Sequence, residues 1–104
     1  MKELLELLKL HRGRDRAITA RRLSETLDSE ERDIRTGIRN LIAGGIPIAS
    51  SVVRPYGYFI VTSVQEANDY MKSLRERLIE DALRRRDFRL AVAKYNGSGQ
   101  LKLF

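Results

Sequence analysis

The sequence has no cysteine and no tryptophan, one histidine (His11), two prolines and only 7% aromatic residues. Without cysteine there is neither a disulfide framework nor a thiolate metal site, and nothing speaks for an oxidising compartment, so the expected location is a reducing cytoplasm. Long apolar runs are missing as well. In the opening MKELLELLKL, charged residues interrupt the leucines every few positions, which fits neither the apolar core of a signal peptide nor a membrane span. Secretion and membrane insertion are therefore not expected. Catalysis has little to stand on either. His11 has no partner fixed beside it by spacing, no carboxylate and histidine cluster has metal-ligand spacing, and no glycine loop resembles a phosphate cradle. The expectation is a protein that is not an enzyme and has no metal or cofactor.

What is present is basic and small. The 104 residues carry 20 Lys and Arg against 14 Asp and Glu, for a formal charge of +6, and 42% are hydrophobic. A chain of this size buries about two thirds of the surface its unfolded form exposes, enough for one compact fold. Arg outnumbers Lys by 15 to 5, and Arg is the side chain suited to bidentate contact with phosphate and guanine. The surplus is evenly spread: residues 1–63 and residues 64–104 each carry a net +3, so no basic arm accounts for it.

Hydrophobic periodicity orders the chain. Leu4, Leu5, Leu7, Leu8 and Leu10 give a first helix an apolar face, with Gly13 as its stop. An extended stretch, Ala17 to Thr19, leads into a second helix with Thr19 as N-cap and Leu23 and Leu27 inward. Asp28 and Glu31 are spaced as a capping box for a third helix that runs to Ala43 with Ile34, Ile38, Leu41 and Ile42 inward. Gly44 and Gly45 supply left-handed backbone to end it, and Pro47 blocks its continuation. The period then changes to that of strands. IPIASSVV and YFIVT read as a hairpin around RPYG, with Pro55 second and Gly57 fourth in a tight turn. Ser63 and Glu66 form another capping box, opening a long helix through Leu74, Leu78 and Leu83 that the charged run Arg84 to Asp87 kinks or ends. Asn96 to Gly99 reads as a flexible, helix-breaking linker before QLKLF.

The order helix, short strand, helix, tight turn, helix, hairpin resembles the small winged helix-turn-helix domains of bacterial and phage proteins, of the kind at the N-terminus of the biotin repressor. Residues 1–63 carry the resemblance, most specifically Ile34, Ile38 and Leu41 followed by GGIPI and an aromatic, glycine-containing hairpin. It implies a mostly α fold with a small β-hairpin wing (α+β), a third helix lying in the DNA major groove and a wing touching the flanking backbone. Residues 64–95 would be a helical extension, packing on the first helix and offering a stripe for a homodimer. Residues 96–104 would be linker and docking tail.

With Ile34 and Ile38 inward, the outward set of the third helix is Arg32, Arg35, Thr36, Arg39 and Asn40. Arg pairs with guanine, Asn with adenine, and Thr offers a hydroxyl to phosphate and a methyl to thymine. Arg21 and Arg22 on the second helix, and Arg54 with Tyr56 on the wing, complete a set suited to duplex DNA. Glu30, Glu31 and Asp33 oppose phosphate in the first turn, although acids there also complement the helix dipole. Alternating charge on a helix is equally an ordinary solvated face. The same holds for Arg84, Arg85, Arg86 and Arg89, which i to i+4 pairing of Glu80 with Arg84 and Asp81 with Arg85 accounts for.

Gln100, Leu101, Lys102, Leu103 and Phe104 resemble the pentapeptide by which bacterial proteins bind the replication sliding clamp. Four of its five positions match, and Lys102 fills the variable one. The resemblance implies that Leu101, Leu103 and Phe104 enter an apolar pocket of the clamp while Gln100 hydrogen-bonds at its entrance. A tail folded back on its own domain fits the same residues. The functional expectation is a DNA-binding winged helix protein recruited to the clamp, acting in DNA replication or its regulation, cellular or phage-encoded. Two alternatives are a dimeric transcriptional regulator with a packed tail and a winged helix adaptor for other proteins.

Overall fold

A computed structural model describes residues 2–97. The chain divides into two compact units, Met1–Tyr70 and Met71–Phe104. Four helices and a two-stranded antiparallel sheet follow in the order α1 (Lys2–Leu8), a single 3-10 turn (Arg14–Arg16), α2 (Ala20–Leu27), α3 (Glu31–Ala43), β1 (Ile48–Ser51), β2 (Gly57–Ile60) and α4 (Val64–Gly97). It is a mostly helical α+β architecture.

Helix α1 buries Leu4 and Leu8 completely, four residues apart on one face. It ends at Leu8, short of the expected stop at Gly13, and Leu10 is 68% exposed. The reason is competition for the backbone: the His11 carbonyl accepts the Ile60 N–H at 2.9 Å, and the Gly13 N–H donates to the Ile60 carbonyl at 2.8 Å. Those groups are held by the strand and cannot continue a helical ladder.

Helix α2 starts as its sequence requires. The Thr19 hydroxyl accepts the Arg22 N–H at 3.1 Å, satisfying one of the free donors of the first turn, and Ala20 and Leu23 face inward. Asp28 does not open α3 as a capping residue. It closes α2 in the left-handed region at φ 50°, donating its N–H to Ser24, a conformation that short polar residues tolerate. Helix α3 begins instead after Glu30, whose side chain caps nothing. Ile34, Gly37 and Ile38 are buried and Leu41 packs on the core. Ile42, expected inside, is 44% exposed, because its position on the helical wheel falls beyond the edge of the Ile34–Ile38 face. Of the two glycines that end α3, only Gly45 is left-handed, at φ 104°; Gly44 stays right-handed.

The hairpin pairs Ile48 with Ile60, Ala49 with Phe59, Ser50 with Tyr58 and Ser51 with Gly57. The expected tight turn at RPYG is a wider loop, residues 52–56, and Gly57 is the first residue of β2. The Arg54–Pro55 peptide bond is cis. Ser51 organises the loop from its near side, its hydroxyl donating to the Val53 carbonyl at 2.7 Å and accepting the Val53 N–H at 3.3 Å. The far edge of β2 is occupied as well. Ile18 exchanges two hydrogen bonds with Tyr58, at 2.8 and 2.7 Å, so the extended stretch before α2 serves as a one-residue third strand.

One core joins these elements: Leu4, Leu8, Ile18, Ala20, Leu23, Ile34, Ile38, Ile48 and Ile60. Full burial of each large aliphatic side chain contributes about 1.5–3 kcal/mol, so the shared cluster fixes α2, α3 and the hairpin in one frame. Entry into α4 uses half of the expected capping box. The Ser63 hydroxyl accepts the Glu66 N–H at 3.1 Å, but the Glu66 carboxylate reaches Thr62 and Arg14 rather than Ser63.

Helix α4 runs unbroken through Arg84 to Asp87, where a kink or an end was expected, and continues over Asn96 and Gly97. Arginine is a strong helix former, and no glycine or proline interrupts residues 64–96. Asn96 and Gly97, expected to open a linker, are thus helical; Ser98, Gly99 and QLKLF lie outside the described residues. Among the described residues, no helix is long and apolar enough to cross a membrane.

Candidate nucleic-acid interface

The candidate interface is built on α3. At about 100° per residue, burying Ile34 and Ile38 turns Arg32, Arg35, Thr36 and Arg39 to the opposite side, and all four are exposed, as is Asn40. The acidic residues fall on the flanks of this stripe. Glu31 lies on one side, where it meets Arg35 at 3.8 Å, one turn away. Asp33 lies on the other, where it lines a shallow depression with Ser29, Thr36, Gly37, Asn40 and Leu41. Position on the helix thus answers the objection that acids crowd the first turn: the arginines form a strip with carboxylates beside it rather than within it.

The side chains of the strip are held loosely. Both partners of the Arg35 and Glu31 pair are about half exposed, at 55% and 46%, and an exposed pair at helical spacing contributes only about 0.3–0.5 kcal/mol. Arg39 donates to the Thr36 hydroxyl at 3.4 Å. Arg32 has no ion-pair partner within 4.0 Å among the described residues. Each guanidinium can therefore be redirected to a phosphate or a base edge at small cost.

Two further elements supply exposed cations in the same compact unit. On α2, Arg21 pairs with Glu25 at 3.3 Å while Arg22 is unpaired among the described residues. On the loop between the strands, Arg54 and Tyr56 are exposed, with Val52 and Val53 beside them also open to solvent. Helix α3 packs on α2 and on β1, so seven of the nine expected contact residues sit on packed helices and the other two, Arg54 and Tyr56, on the loop that joins β1 to β2. Ser29 and Gly37, which line the depression, were not among the residues read from the sequence. Their signal is weak, since neither carries the charge or aromatic character that marks a contact residue.

His11 plays a structural part, its Nδ1 lying 2.7 Å from the Arg16 carbonyl. Glu66 is displaced from its ordinary acidity. Hydrogen bonds from the Thr62 and Arg14 backbones hold its carboxyl below the usual glutamate range, against a smaller opposing effect of burial. No group of three or more His, Asp or Glu able to hold a metal occurs among the described residues. Gln100, Leu101, Leu103 and Phe104 of the expected docking tail lie outside the described residues. No family model, curated protein or solved structure matches this chain.

Proposed function

We propose that this is a winged helix protein that binds duplex DNA through α3 and the hairpin and is recruited to the bacterial sliding clamp through QLKLF, acting in replication or its regulation. The observation that carries the DNA reading is the exposed strip Arg32, Arg35, Thr36 and Arg39, set opposite Ile34 and Ile38. Its support is chemical: Arg reads guanine O6 and N7 in the major groove, and Asn40 beside the strip suits adenine. Arg21, Arg22, Arg54 and Tyr56 act on phosphates on either side, fixing the register of the helix.

The flanking Glu31 and Asp33 make the binding modest. Tethering offsets that weakness, because attachment of QLKLF to a DNA-encircling ring raises the local concentration of duplex around α3. The tail reading rests on the motif resemblance alone.

Two experiments test the two halves separately. DNA affinity is measured against salt for the parent and for Arg35→Ala with Arg39→Ala; equal affinity and equal salt slope reject the α3 interface. Clamp capture is compared before and after deletion of residues 100–104, and undiminished capture rejects the tail.

A further inference from the structure

Within the second unit, α4 carries a continuous seam of alternating three- and four-residue steps from Met71 to Tyr95. Six of its eight positions are apolar, and five of those six are between 42% and 70% exposed; Val92 is the buried member. The two polar positions are adjacent and central: Asp81 and Arg85. They sit one turn apart, yet the i to i+4 ion pair expected between them is absent, as is the Glu80 and Arg84 pair. Neither Asp81 nor Arg85 has an ionic partner within 4.0 Å among the described residues, and both line a depression with Leu78, Ala82, Arg86 and Arg89.

We propose that α4 pairs with α4 of a second copy as an antiparallel coiled coil centred on Leu83, with Asp81 of each chain facing Arg85 of the other. The seam is symmetric about that point. Turning a copy end over end sets Met71 opposite Tyr95, Leu74 opposite Val92, Leu78 opposite Phe88 and Asp81 opposite Arg85. Every apolar residue meets an apolar one, and each charge meets its opposite, twice per dimer. A parallel pair would stack Asp81 on Asp81 and Arg85 on Arg85, so charge complementarity selects the orientation, as polar residues at seam positions select register in other coiled coils.

A second apolar row, Ile79, Leu83 and Leu90, runs along another face of α4, but its partners under the same operation are mismatched, with Ile79 set against Asp87 and Leu90 against Glu76. The seam through Leu78 is therefore the interface. Its flanks carry Arg75, Arg84 and Arg89, whose mutual repulsion is screened at moderate salt. The pairing does not depend on DNA binding: a chain that binds no DNA dimerises in the same way.

Sedimentation equilibrium of the full chain over a concentration series, at roughly 0.3 M salt, tests the proposal. The parent is expected to be a dimer. Leu78→Glu is expected to be a folded, helical monomer, whereas the neighbouring Ile79→Glu changes the dimer constant by less than about twofold. Asp81→Arg is expected to weaken association about tenfold or more, and Asp81→Arg combined with Arg85→Asp to restore it. Orientation is read by cross-linking, which the lack of native cysteine makes unambiguous. Chains carrying Leu78→Cys and Phe88→Cys form a disulfide when mixed but not separately, because like positions lie about 15 Å apart along the paired helices. A monomeric parent, equal disruption by Ile79→Glu, or self-cross-linking of Leu78→Cys would overturn the proposal.

Discussion

Glu66 Oε2 accepts the backbone N–H of Arg14 at 2.8 Å, across 52 residues of chain. Its other oxygen takes the Thr62 N–H at 2.9 Å and the Thr62 hydroxyl at 3.1 Å. One carboxylate in the first turn of α4 thus ties together the start of that helix and the 3-10 turn that follows α1. All of its partners are donors, so the anion is favoured over the neutral acid.

Stability should therefore fall in acid through Glu66. Its folded-state pKa lies below the ordinary value, so its contribution is fully present above the unfolded-state pKa and is lost as pH falls through the lowered folded value. Urea denaturation of the parent and of Glu66→Gln is expected to differ by about 1 kcal/mol at neutral pH, with the gap closing toward pH 3. A constant gap across that range would show that the carboxylate's charge is irrelevant to the tie.

Gly57 is the residue that the hairpin cannot replace. It sits at φ 117°, and a Cβ there would collide with the Ile18 carbonyl and come within 2.5 Å of the Thr19 nitrogen. The chain pairing that makes Ile18 a third strand brings that backbone too close for any side chain. Gly57→Ala is expected to cost about 3 kcal/mol or more. Gly45→Ala, at φ 104° with open space around it, should cost only about 1 kcal/mol. Chemical denaturation of the two variants separates collision from conformational strain.

Ile34 and Ile42 divide what the sequence could tell from what it could not. Both fit an apolar helical face by spacing, but Ile34 is fully buried and Ile42 is 44% exposed. Ile34→Ala is expected to destabilise by about 3 kcal/mol and Ile42→Ala by less than about 1 kcal/mol, measured by thermal or urea unfolding. Equal costs would mean that the helix is rotated relative to this structure.

That contrast has a general physical cause. Features set by local chemistry were legible: the Thr19 cap, the Ile34 and Ile38 face, the strand-forming residues either side of RPYG, and the outward arginines of α3. Features set by distant partners were not. The end of α1 depends on Ile60 claiming His11 and Gly13, the role of Gly57 depends on Ile18, and the reach of Glu66 to Arg14 has no counterpart in sequence spacing. The edge of a buried face depends on neighbouring elements, which is why Leu10 and Ile42 were placed inside. For the candidate site, helical period alone placed the strip, whereas the flanking positions of Glu31 and Asp33 and the shallow depression at Ser29 and Gly37 emerged only from the structure.

The flanking position of Glu31 makes the DNA reading sensitive in both directions. Arg39→Ala removes a base-reading cation from the strip and is expected to cost about 1–3 kcal/mol of DNA affinity and to relax base preference at the position it reads. Glu31→Gln does the opposite. It frees Arg35 from a pair held at 3.8 Å and removes a charge that repels phosphate, so affinity should rise about threefold, with the largest gain at low salt where repulsion is least screened. Both variants change a half-exposed or exposed surface residue, and unaltered unfolding midpoints would separate binding from folding. A Glu31→Gln protein that binds DNA no better than the parent, alongside an Arg39→Ala protein that binds no worse, would leave the strip as ordinary solvated surface and remove the ground for a major-groove helix.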